Sequence, residues 1–205
     1  MQNKKSQIIL NNDLFIGEGM GRKCYIHPED KNLCIKIPSP RGKRSADREK
    51  NYFKRLHWYG KSFEHIVDYK GSIDTNNGSG DLYELVRDDD GNISKNLEYY
   101  FSLNDKKITS KMLMLIEDLR VYLIKEYILF SDLDMDNILV KKYDENNFKL
   151  VIIDGVGDNN QIPFLEYIKS LGIKRCERKW DLFKTKIAEK FPDITKNIKN
   201  FSDKF

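Results

Sequence analysis

Residues 7–37 alternate apolar and polar side chains in three short runs, QIILNNDLFIG, RKCYIHP and LCIKIP, separated by a glycine cluster and by the turn PEDKN. Alternation with period two between turn residues predicts three strands. Pro38 and Pro40 close the unit, because neither continues a central strand. In RSADREKNYFKRLHWYG the period changes: Ala46, Tyr52, Phe53, Leu56 and Tyr59 fall near helical spacing, with Gly60 as the stop. HIVDYKGSID and GDLYELVRD return to strand patterning, joined by TNNGSG, which reads as flexible. This order predicts an antiparallel sheet with one helix inserted after the third strand.

DDDG at residues 88–91 breaks the pattern, and helical spacing takes over. SKNLEYYFS predicts a short helix and ITSKMLMLIEDLRVYLIKEYILF a long one, in which Met112, Ile116, Leu119, Leu123 and Tyr127 form one core-facing stripe. NILVKKYDENNFKLVIID reads as a hairpin around YDENN. KRCERKWDLFKTKIAEKFPDI predicts an amphipathic helix with Trp180, Phe183 and Ile187 on one face, ended by Pro192. The expected class is α+β, with a strand-rich lobe over residues 1–87 and a mainly helical lobe over 88–205.

Composition narrows the function classes. With 40% apolar and 33% charged residues, 11 Phe, 11 Tyr and 2 Trp, the 205-residue chain has enough apolar material for a packed core and is not a disordered segment. No stretch approaches the roughly 20 apolar residues a bilayer span needs. MQNKKSQIILNND lacks the apolar region of a signal peptide, so a cytoplasmic location is expected. Cys24, Cys34 and Cys176 have no C-x-x-C spacing, and His27, His57 and His65 have no metal spacing; His27, before Pro28, reads as the start of a turn. The net charge of +4 is too small to argue for nucleic acid by itself. It is uneven, however: residues 1–60 hold 13 Lys/Arg and 6 Asp/Glu, a net of +7, leaving −3 for the rest. A basic front half suits an anionic partner.

Three constellations carry candidate chemistry. Gly17-Glu18-Gly19-Met20-Gly21 lies between two predicted strands, where glycines let backbone N–H groups approach an anion; a plain glycine-rich hairpin turn is the alternative. Lys36, within the apolar run Leu33-Cys34-Ile35-Lys36-Ile37, can reach phosphate oxygens beneath that loop, with Glu49 of the next helix as its ionic partner. The alternative puts Lys36 on the solvent face of an edge strand. The third is Ser131-Asp132-Leu133-Asp134-Met135-Asp136-Asn137 followed by Val151-Ile152-Ile153-Asp154-Gly155. Asn137 and Asp154 offer hard oxygen ligands suited to magnesium, and Asp132 can accept a hydroxyl proton. Asp and Asn are also ordinary turn formers.

Taken in order, the glycine loop, strand Lys, helix Glu, Asp-x4-Asn and Asp-Gly resemble the signature set of the protein kinase-like superfamily. More narrowly, HPEDKNLCIK, YELVRDDDGNISKNLEYY and DLDMDNILV resemble the YrbL-type family of small bacterial kinase-like proteins, the PhoP regulatory network proteins, over about residues 14–180. The resemblance implies a bilobal kinase-like fold that binds ATP and magnesium. The loop with Gly17, Glu18, Gly19 and Gly21 would cover the phosphates, and Lys36 would contact them while paired to Glu49. The backbone at Glu84 and Val86 would hold adenine. Asp132 would be the catalytic base, and Asn137 and Asp154 would hold the metal.

Four departures qualify the resemblance. The loop reads G-x-G-x-G, one residue short; Phe130 stands where kinases place a His; Asp134 occupies the place of a Lys near the transferred phosphate; and Val156 replaces the Gly of Asp-Phe-Gly, although Gly157 follows. Bringing Asp134 close to a phosphate costs energy unless a cation lies between them. No Ala-Pro-Glu follows Asp154, so a platform for peptides is expected to be reduced or missing. The expected function is transfer of the γ-phosphate of ATP to a hydroxyl of a small molecule or to protein. The alternative is a pseudokinase, a regulatory protein-interaction module without transfer. A nucleic-acid binder using the basic segment 174–204 is a weaker third reading, since such a run is more often a solvated helix face.

Overall fold

Short alternating segments leave half their backbone polar groups unpaired unless they find one another, and the first five do so in one antiparallel sheet. The computed structural model describes residues 7–157 and 168–194. β1 (Phe15–Glu18), β2 (Arg22–Ile26), β3 (Leu33–Pro38), β4 (Tyr69–Thr75) and β5 (Gly78–Glu84) are ordered β1-β2-β3-β5-β4. α1 (Lys43–Trp58) follows β3, as the spacing predicts. The chain divides into two units, Met1–Phe63 with Val67–Arg87 and Glu64–Ile66 with Asp88–Phe205.

The two faces of the first unit's sheet have different jobs. Leu10, Tyr25 and Ile35 are buried on one, with Ile8, Leu14, Ile37, Ile73 and Leu82 packed against them. The pairing of Cys24 with Lys36 and of Lys36 with Asp81 puts these residues in one row on the other face. There α1 buries Ala46, Glu49, Tyr52, Phe53 and Leu56, and the Phe53 ring meets Tyr83 edge-on at 5.7 Å. Tyr59, counted with the apolar face, falls one residue past the helix and is exposed.

TNNGSG is not a flexible linker. Thr75 pairs with Gly78 across a two-residue turn, and the Thr75 hydroxyl donates to the Gly78 carbonyl at 2.6 Å. Asn76 then staples the turn to the N-terminal segment: its amide donates to the Leu10 carbonyl and its Oδ1 accepts from the Leu10 N–H. His27 does begin a turn, its Nδ1 accepting from the N–H groups of Glu29 and Asp30.

The second unit carries a three-stranded sheet of β6 (Lys95–Asn96), β7 (Ile138–Lys142) and β8 (Phe148–Ile152), in that order, with α2 (Leu97–Ser102), α3 (Lys106–Glu126) and α4 (Lys169–Lys190). Asp105 caps α3 by accepting from the Ile108 N–H at 2.9 Å, and Met112, Ile116, Leu119 and Leu123 are buried as one stripe. The helix stops at Tyr127, whose left-handed backbone turns the chain. Ile128, Leu129 and Phe130, read as its last turn, are a buried extended segment instead. Trp180, Phe183 and Ile187 are the buried face of α4, as expected, although the helix begins earlier than the pattern shows. No helix among the described residues is long and apolar enough to cross a membrane.

Glu64–Ile66 departs most from the strand pattern. Ile66 pairs with Ile152, the Ile152 N–H donates to the His65 carbonyl at 2.8 Å, and His65 Nδ1 donates to the Leu150 carbonyl at 2.8 Å. Burial pushes the His65 imidazole below its ordinary value, outweighing the bond to Leu150 that supports the charged form. Protons therefore bind the unfolded chain first, and stability is lost as pH falls through the unfolded value of 6.5. We expect the wild type to lose thermal stability relative to His65→Gln between about pH 7.5 and about pH 5. Parallel melting curves over that range would contradict this.

Candidate functional site

The glycine loop is a tight turn in which the Gly19 N–H donates to the Arg22 carbonyl at 3.0 Å, leaving Met20 wholly exposed at its tip. A Cβ added at Gly17 or Gly19 would meet nothing within 4 Å, so a ligand can approach the backbone there. Gly21 serves the fold: its carbonyl accepts from the Ser39 N–H at 2.8 Å, and a Cβ on Gly42, just before α1, would lie 2.1 Å from that oxygen. Glu18 is exposed, 3.9 Å from Lys23.

Lys36 is buried on a central strand rather than on the solvent face of an edge strand. Its ammonium lies 4.6 Å from the centroid of the Tyr83 ring. Glu49, its expected partner, is buried on α1 and engaged by the Arg22 guanidinium of β2. Arg22 escaped the sequence reading, as did Asp81. Asp81 stands opposite Lys36 in the sheet register, accepting from Ser72 Oγ at 2.8 Å and from Lys50 of α1 at 3.2 Å. At residues 84–86 the Glu84 N–H donates to Asp68 and the Leu85 N–H to Asn32. The Glu84 side chain turns to Asp68 and Lys70, and Val86 is buried, so any role of these residues toward adenine falls to the main chain.

In the second unit, main-chain bonds tie residues 129–137 to 153–157. Gly157 N–H donates to Leu129 O at 2.8 Å, Ser131 N–H to Gly155 O at 2.9 Å, and Ile153 N–H to Asn137 O at 2.9 Å, while Phe130 pairs with Val156. Phe130, unable to hydrogen-bond as a His would, is buried and lines a small cavity with Leu123, Cys176 and Trp180, and its backbone carries the link instead. Gly155 has φ +79, and a Cβ there would lie 2.2 Å from the Asp132 carbonyl oxygen. Asp132 and the Asp154–Gly155 turn are thus in backbone contact, and Asn137 adjoins Ile153. Asp154 Oδ1 accepts from the Gly155 N–H. The Asp132 side chain is 62% exposed and open to a ligand. No group of three or more His, Cys, Asp or Glu suited to a metal occurs among the described residues. The donor set of one carboxylate and one amide oxygen fits magnesium, which takes its remaining oxygens from phosphate and water.

A further residue reaches this loop from α4. Lys186 Nζ lies 3.0 Å from Asp132 Oδ1 and 2.8 Å from Asp134 Oδ2. Burial works against the charged amine, but the two carboxylates more than offset it and raise its pKa. Burial would likewise raise Asp134, yet Lys186 and the N–H groups of Met135 and Asp136 hold its carboxyl below the usual range. One turn on, Lys190 pairs with Glu98, while Asn96 donates to Asp136 at 3.1 Å. The sequence counted both lysines only as part of a basic segment. Their one-turn spacing beside the Phe183–Ile187 face was the available signal. Both amines thus sit against carboxylates of the second unit.

Comparison with known proteins agrees with this layout. The family model described as PhoP regulatory network protein YrbL matches residues 8–188. The chain is 31% identical over 172 residues to Uncharacterized protein YrbL of Escherichia coli (strain K12), covering 82% of each chain. The same figures hold for the protein of that name in Shigella flexneri. Among solved structures it is similar to Rad53 1-466 in complex with AMP-PNP, with a TM-score of 0.51 and 21% identity over 70% of this chain and 38% of that one. That last likeness is one of fold. With its sheet order, its helix after the third strand, and its hairpin linking Asn137 to Asp154, the chain belongs to the PhoP regulatory network protein YrbL family and has a protein kinase-like fold.

Proposed function

We propose that the chain binds ATP with magnesium and transfers the γ-phosphoryl group to a hydroxyl of a small molecule or of protein. The open backbone at Gly17 and Gly19 receives the phosphates together with Lys36, and the main chain at Glu84 and Val86 takes adenine. Magnesium, held by Asn137 and Asp154, would supply neutralisation of phosphate charge. Asp132 accepts the proton of the acceptor hydroxyl as its oxygen bonds to the γ-phosphorus. The bond from that phosphorus to the bridging oxygen breaks, and its electron pair leaves with ADP. The reaction takes place where ATP is supplied, in the cytoplasm.

The observation that carries this reading is the stitching of residues 129–137 to 153–157, which gives the carboxylates of Asp132 and Asp154 and the amide of Asn137 one fixed backbone frame. AMP-PNP bound to Rad53 supports a nucleotide as the ligand. The pseudokinase reading draws on Phe130 and on the contact of Asp132 with Lys186. A thermal melt tests nucleotide binding directly. ATP should raise the midpoint by several degrees with magnesium and much less without it, since a ligand selective for the native state stabilises it. Asp154→Ala should abolish the magnesium dependence. A wild type indifferent to ATP and magnesium would refute the proposal.

A further inference from the structure

Three carboxylates, Asp132, Asp134 and Asp136, crowd five residues of the loop meant to receive a highly anionic phosphate. Asp136 is tied to Asn96 and stands beside Glu98, in the reach of Lys190. Asp132 and Asp134 share Lys186 as their ionic partner. A lysine ammonium has three protons to donate. Two go to these carboxylates, and the third contact, to the Leu133 carbonyl, is stretched to 3.5 Å. The side chain keeps 40% of its surface exposed, so the amine can face one more anion. Its place is set from below: Phe183 and Ile187, three residues before and one after, are fully buried and fix the rotation of α4. A cation fixed before its ligand arrives costs no reorganisation when charge appears.

We propose that Lys186 is the cation that receives the terminal phosphate of the nucleotide, and that Asp134 is a positioning residue that aims it. The inference rests on the nucleotide-binding function proposed above, and it accounts for the carboxylate of Asp134 in an anion-binding loop. The amine arrives from α4, while Asp134 anchors it so that Asp132 does not hold it alone.

The test compares the full chain with a non-hydrolysable ATP analogue and with ADP, each with magnesium, by thermal midpoint and by titration. The wild type should bind the analogue more tightly than ADP. Lys186→Met should weaken the analogue about tenfold or more, ADP by less than about twofold, and Lys186→Arg should recover part of the loss. Asp134→Asn should weaken the analogue selectively but less. Should Lys186→Met fail to fold, Lys186→Gln carries the comparison. If Lys186→Met leaves the analogue's advantage intact, or weakens both nucleotides alike, the role of Lys186 is overturned while nucleotide binding stands. If the wild type binds neither nucleotide, the proposed function fails and this inference with it.

Discussion

Asp132→Asn is expected to reduce incorporation of label from γ-labelled ATP by about 10²–10⁴-fold, in protein or in extracted small molecules. The amide keeps the size and much of the hydrogen bonding of the carboxylate but cannot take a proton at neutral pH. The side chain is 62% exposed, and the loop's register depends on backbone bonds of Ser131 and Gly155 rather than on the Asp132 carboxylate. The melting midpoint should therefore move little, by within about 0.5 kcal/mol of stability. Equal, background-level labelling by wild type and variant across acceptors would favour the regulatory module without transfer.

Gly155→Ala is expected to cost the most stability of any single change considered. Two penalties add: φ is +79, where a side chain is strained by about 1–2 kcal/mol, and the new methyl would lie 2.2 Å from the carbonyl oxygen of Asp132. That neighbour is backbone, so relief requires the loop itself to move. A total of about 2–4 kcal/mol, or a midpoint lower by about 5–12 °C, should appear in calorimetry. Gly19→Ala is the control, because its Cβ meets nothing within 4 Å and no positive φ is involved. If both substitutions melt alike, the contact with Asp132 is not what holds the turn.

Much of the fold was legible because its signals are local. The runs at 22–28 and 33–38, the helix ending before Gly60 and the hairpin around YDENN each announce themselves within a few residues. The stripe Met112, Ile116, Leu119 and Leu123 survives as read. Its last member did not, because an apolar Ile128-Leu129-Phe130 looks the same continuing a helix or lying extended against Val156. The candidate site was proposed from residue types at fixed spacings, but two of the ion pairs around it left no such signal. Glu49 meets Arg22, and Lys186 reaches Asp132 across 54 residues. A charge pair that far apart leaves no periodicity, and α4 declares only which of its faces is apolar.

The pairing of Glu64–Ile66 with β8 carries a consequence for synthesis. His65 leaves the ribosome 85 residues ahead of Leu150, its hydrogen-bond partner. Long-range closure of this kind slows folding, because the loop entropy is lost before the contact rewards it. The segment Glu64–Ile66 thus waits through the synthesis of the intervening chain, and its pairing can form only once β8 has emerged.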